Sequence, residues 1–111
     1  MGSNMLMDAN KVIKIFDKLA KQSIDKANSF LLAYIQTIIH MYEANAFDEK
    51  GFQDYIIRLR DSLLEVSDRV NPFINAVLGV LEEDLSKEAI SEALNRIREL
   101  WRMERLDRLE V

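Results

Sequence analysis

Three glycines and one proline in 111 residues leave this chain almost nothing with which to make tight turns. A β-protein of this length needs a turn signal roughly every 8–12 residues. Gly2, Gly51, Gly79 and Pro72 are too few and too far apart for that. The intervening sequence is rich in Leu, Ile, Ala, Glu, Lys and Arg, which favour helices. The expected fold class is therefore all-α. With 49% of the residues apolar, the chain can build a core, and the polar, highly charged signature of disorder is absent.

Helical periodicity divides the chain into about five helices, three long and two short, in a compact bundle. Helix 1 is expected from about Ala9 to Lys21. Asp8 is its N-cap, and Met7 and Val12 sit at hydrophobic-staple spacing. Val12, Ile13, Phe16 and Leu19 share one face. Lys11, Lys14, Lys18 and Lys21 share the opposite one. Helix 2 is expected from about Ser23 to Ala44. Nothing in the sequence decides whether it is separate from helix 1 or fused to it. From Phe30 to Tyr42 it is apolar nearly all round, apart from a stripe of Ala33, Gln36, Thr37 and His40. Such a helix belongs at the centre of a bundle.

Asn45 is a C-terminal stop, and Asp48 is the N-cap of helix 3, expected over Glu49–Val70. Its apolar positions Phe52, Ile56, Leu59, Leu63, Val66 and Val70 step by 4, 3, 4, 3 and 4, a heptad seam. Ile57 and Leu64 form a second apolar strip, which meets either another helix of the bundle or another chain. Asn71-Pro72 opens helix 4, with Asn71 as cap and Pro72 in the first turn. Phe73, Ile74, Val77, Leu78, Val80 and Leu81 make that helix largely buried. Helix 5 follows Ser86, with Ile90, Ala93, Leu94, Ile97 and Trp101 as its seam. The next seam positions, Glu104 and Arg108, are charged, while Met103, Leu106 and Leu109 point elsewhere. Residues 1–7 are expected to be a disordered N-terminal segment resembling a cloning scar, and residues 8–111 a single helical domain.

Chemistry-bearing groups are sparse. The chain has no cysteine, which excludes disulfides and thiol chemistry and fits a cytoplasmic location. The single histidine, His40, has Glu43 one turn away, but a metal site needs more ligands than that. Glu82-Glu83-Asp84 reads as a solvated charge cluster at a helix end. No phosphate-binding glycine loop or nucleophile elbow is present. No catalysis, cofactor or metal is expected. The longest apolar run, Phe30–Ile35, falls well short of the roughly 20 residues of a membrane span.

Two functional readings remain. The leading one is a non-enzymatic helical protein–protein interaction module, an oligomer-forming or adaptor subunit whose partner is itself or another protein. Its expected interface comprises Arg98, Trp101, Arg102, Met103, Arg105, Leu106 and Leu109, together with Ile57 and Leu64. Arginine and tryptophan are frequent interface anchors. The alternative is a helical subunit of a nucleoprotein complex, touching nucleic acid backbone through Lys11, Lys14, Lys18 and Lys21. Residues 1–26 carry five lysines against three aspartates, whereas residues 43–92 carry twelve acids against five bases, so the charge is unevenly spread along a chain of net charge −4.

Overall fold

The computed structural model describes the backbone of residues 6–110 and the side chains of residues 6–103. Within them lie five helices: α1 (Ala9–Ala20), α2 (Ile24–Glu43), α3 (Glu49–Leu63), α4 (Pro72–Glu83) and α5 (Lys87–Glu110). There is no strand among the described residues. The principal packing partners are α1 with α2, α2 with α5, α5 with α4, α4 with α3, and α3 with α1. The five helices therefore close into a ring around one shared core. The largest set of buried side chains comes from α2: Ala27, Leu31, Leu32, Ile35, Ile38 and Ile39.

Helices α1 and α2 are separate. Ser23 is extended (φ −164°, ψ 123°), and its hydroxyl accepts the Lys26 N–H at 3.3 Å, so it caps a new helix. Fused, the two would form a rod of roughly 50 Å, and Val12, Ile13 and Phe16 would have no wall to meet. The break lets α1 fold back onto α2 and bury them.

The end of α2 is a Schellman turn. Asn45 is left-handed (φ 64°), with the Asn45 N–H donating to Tyr42 O and the Ala46 N–H to Met41 O. Asp48 then caps α3 by accepting the Gly51 N–H at 2.7 Å. A Cβ at position 51 would sit 2.7 Å from that same carboxylate oxygen, so the cap closes tightly because residue 51 has none. Phe47 stacks on Phe52 at 5.9 Å, which is the staple, and Phe52 stacks on Tyr42 of α2 at 4.7 Å.

Helix α3 stops at Leu63, seven residues before the expected Val70. A 3₁₀ turn (Leu64–Val66) and an irregular linker follow. All six seam residues are nevertheless buried, Val66 and Val70 included. Where the linker leaves the helix, a side chain from α2 satisfies two of its backbone groups, and its other N–H bonds are made within the linker and the 3₁₀ turn before it. Asn28 Nδ2 donates to Ile24 O at 3.0 Å and to Arg69 O at 2.9 Å, while Asn28 Oδ1 accepts the Asn71 N–H at 2.7 Å. Only one orientation of the amide fits, since the flipped one would set its oxygen against two carbonyls. Arg69 also donates to Asp17 at 2.9 Å, tying the linker to α1.

Leu6 and Met7, in the segment expected to be disordered, pack against the core. The Met7 N–H donates to Tyr34 Oη (3.2 Å), Tyr55 Oη donates to Met7 O (2.6 Å), and the two hydroxyls lie 2.6 Å apart. Tyr55 has spent its proton on Met7, so Tyr34 donates to Tyr55 and the cycle closes with every group used. Burial, followed by the bond to Tyr34, pushes the Tyr55 hydroxyl well above the usual tyrosine range.

Two stability measurements check this frame. Asn28→Ala leaves the linker backbone unpaired and should lower stability by about 1–3 kcal/mol in urea unfolding. The second concerns Asp17, whose carboxyl is held below its ordinary value of 3.8, chiefly by the hydrogen bond from Arg69. A depressed carboxyl stabilises the fold above its unfolded pKa, and that contribution fades as pH falls through the folded value. The stability lost in Asp17→Asn should therefore be constant at neutral pH and shrink below about pH 4 in thermal melts.

Candidate protein interface

The hairpin of α4 and α5 carries exposed apolar side chains that line a groove. Its turn is held by the residues expected to be a solvated acidic cluster. Asp84 accepts both the Ser86 N–H (2.9 Å) and the Ser86 hydroxyl (3.1 Å), and Ser86 Oγ accepts the Ala89 N–H (3.2 Å) to start α5. Glu82 accepts Arg60 of α3 at 2.8 Å, with the guanidinium lying 3.4 Å from where a Cβ on Gly79 would be. Each helix then buries one face. Ile74, Val77, Leu78 and Leu81 are buried in α4, and Ala89, Ile90, Ala93 and Ile97 in α5.

The seam of α5 ends on Trp101, which is half-buried and packed against the core. Its indole Nε1 donates to Gln36 Oε1 of α2 at 3.1 Å. The bond gives the polar stripe of α2 a structural use and turns the tryptophan toward its own chain.

Beside this seam, Phe73, Leu100 and Met103 form the apolar floor of a groove of about 420 Å³, rimmed by Glu92, Asn95, Arg96 and Glu99. Phe73 is 58% exposed and Met103 49%. Sequence reasoning expected Phe73 to be buried, and the structure corrects this. Phe73 lies on the edge of the apolar face of α4, about 100° round the helix from Ile74, where neither α3 nor α5 covers it. A helical projection of α4 places Phe73 at an edge of its apolar face, but which edge stays open depends on the neighbouring helices. The rim is tied by weak, exposed pairs: Arg96 to Glu92 at 3.6 Å and Arg102 to Glu99 at 3.7 Å. Such a groove can accept apolar side chains, and contiguous exposed apolar surface with a polar rim is what interaction sites present.

The remaining expected site residues are scattered. Arg98 and Arg102 are exposed but do not line the groove; Arg98 donates to Asn95 at 3.1 Å and lies about 140° round the helix from Met103. Ile57 is 36% exposed and Leu64 69%, on α3 and its 3₁₀ extension, away from the groove. The side chains of Arg105, Leu106 and Leu109 lie outside the described residues. Lys11, Lys14, Lys18 and Lys21 are all exposed on α1, and among the described residues only Lys21 is ion-paired, with Asp17 at 3.7 Å.

A larger cleft of about 880 Å³ lies where the N-terminal ends of α1 and α3 meet, with Phe47, Tyr55 and Arg58 in its wall. Of its three aspartates, Asp8 and Asp48 are occupied as helix caps and Asp61 is exposed, and its tyrosine is held by the Met7 cycle. His40 and Glu43 bond to each other at 3.1 Å on the surface of α2. Among the described residues, no three His, Asp or Glu side chains converge on a metal position, and no helix is long and apolar enough to cross a membrane.

Compared with protein-family models, curated proteins and solved structures, the chain matches none.

The inward turn of Trp101 is testable. Trp101→Ala should cost about 2 kcal/mol in equilibrium unfolding, roughly half the penalty of emptying a fully buried tryptophan site. Gln36→Ala, which removes only the indole partner, should cost about 1 kcal/mol.

Proposed function

We propose that this chain is a non-enzymatic helical interaction module, an oligomer-forming or adaptor subunit of a larger assembly. The observation that carries this reading is the groove floored by Phe73, Leu100 and Met103. Two large apolar side chains stand about half exposed on adjacent helices, although the sequence has apolar pattern enough to bury them. Leaving a phenylalanine in water forgoes about 1.5–3 kcal/mol of burial. A partner recovers that by covering it. Phenylalanine and methionine are also residues that interface cores favour. The titratable groups offer little competing chemistry: at the α4–α5 turn Asp84 is engaged as a cap and Glu82 in an ion pair, and the lone histidine is bonded to its neighbour.

The test compares proteins captured by the unaltered chain with those captured by the doubly altered chain, Phe73→Asp with Met103→Asp. A tagged second copy of the chain is included among the candidates. Both positions are exposed, so the circular dichroism of the variant should be unchanged. The expected result is a partner bound stoichiometrically by the unaltered chain, lost at least tenfold by the variant, and reconstituted from purified protein. Identical binding by both would overturn the reading.

One observation favours a second reading. Lys11, Lys14 and Lys18 stand exposed on one helix face with no ion partner among the described residues. Such a stripe suits contact with nucleic acid backbone in a nucleoprotein assembly. In that case a single-stranded or duplex oligonucleotide should bind at low salt, with affinity falling steeply as salt rises, and Lys14→Glu with Lys18→Glu should abolish it. No binding by the unaltered chain at low salt ends this reading.

A further inference from the structure

The exposed edge of α5 that borders the groove carries its own complement. Glu92, Arg96, Glu99 and Met103 step by 4, 3 and 4, so they form one stripe along the helix, and all four are exposed. The inner two positions are antisymmetric in charge about the stripe's midpoint: Arg96 and Glu99 lie equally far from it on opposite sides, while the outer two, Glu92 and Met103, are an acid and an apolar residue. We propose that the groove is covered by a second copy of this chain, laid antiparallel along α5 about a twofold axis between Arg96 and Glu99. This rests on the interaction-module reading and names its partner.

Such an axis sets Arg96 against the partner's Glu99, and by symmetry Glu99 against the partner's Arg96. Two identical cross-pairs form, as an isologous interface requires. A parallel arrangement would instead bring Arg96 near its own copy and Glu99 near its own copy, so the charges select the antiparallel one. The ion pairs that Arg96 and Glu99 make within the chain do not compete strongly. They are 3.6 and 3.7 Å long, and their side chains are more than half exposed, which is the class of pair that contributes least. Beside the axis, Leu100 and Phe73 of each copy supply the apolar contact that the charges orient.

The seam from Glu92 to Met103 spans about 17 Å of helix. With Phe73 alone beside it, the contact falls short of the roughly 800 Å² per partner of a standard stable interface. A concentration-dependent dimer, weakened by salt, is the expected state.

The experiment is light scattering on the purified chain, on Arg96→Glu, on Glu99→Arg, on an equal mixture of those two variants, and on the double swap. The unaltered chain should approach twice its 12.9 kDa mass at high concentration. Each single swap places like charges across the axis twice and should raise the dimer Kd by about tenfold or more. The mixture and the double swap should both restore it, because each again pairs unlike charges at both positions. A monomeric unaltered chain would overturn the self-pairing, while the capture comparison still judges the module reading separately. A dimer that tolerates the single swaps but is lost in Phe73→Asp with Met103→Asp would overturn the antiparallel register alone. A dimer indifferent to all of these changes would overturn this face as the interface.

Discussion

The side chain of Asn28 is the joint on which the arrangement of helices turns. A chain leaving an α-helix frees backbone donors and acceptors, and buried or half-buried ones must find partners. Between Leu63 and Pro72 the backbone is mostly non-helical, yet it stays close to α2. One amide resolves this by spending both its donors and its acceptor on main-chain groups. With the linker held there, α4 is directed back along α3, and α5 returns to α2. The ring closes because α3 ends early. Had it run to Val70 as a continuous helix, α4 would have started two turns further out, and its apolar face could not have met both α3 and α5.

This also marks where the sequence was readable. Local signals came through well. Asp8, Ser23, Asp48 and Asn71-Pro72 each cap the helix they appear to cap, because a cap bond joins residues two or three apart and needs nothing else. The heptad seam of helix 3 correctly marked six buried positions but not the end of the helix. Periodicity reports which residues face the core, and a 3₁₀ turn of three residues keeps Leu63 and Val66 on the same side as a helix would. The early stop depends on an asparagine more than 40 residues away in sequence, and no window along the chain reveals it. Phe73 was misplaced for a related reason. Its helix is apolar enough to look buried throughout, and which edge stays open depends on where neighbouring helices end.

The tyrosine cycle shows the same limit at the other end of the chain. Tyr34 is half-buried and Tyr55 buried, and neither stands out in sequence from an ordinary core or flanking aromatic. Placed 2.6 Å apart, they become a matched donor and acceptor for the two main-chain groups of Met7. Met7 is thus fixed onto α2 and α3 by polar bonds as well as by its packing, with Leu6, against the core. Each hydroxyl gives one proton and receives one, so removing either oxygen leaves a main-chain group of Met7 without its partner. That is why the two tyrosines act as one unit.

The candidate interface follows from how α5 divides its surface. Up to Ile97 the helix is an ordinary wall of the core, with alanines where the neighbouring helices come close. At Trp101 the inward face finishes, because the indole reaches across to Gln36 and no seam residue follows it but Glu104. From that point the helix backbone continues to Glu110, and the next seam positions in the sequence, Glu104 and Arg108, are charged. An isolated helical extension in water gains little from propensity alone, so a contact along the outer edge, as proposed, would support it. The apolar side chains available there are Met103 on α5 and Phe73 on α4, which stand on the same groove. Under the proposed self-pairing, one contact along the outer edge of α5 would serve both the groove and the helix that runs on beside it.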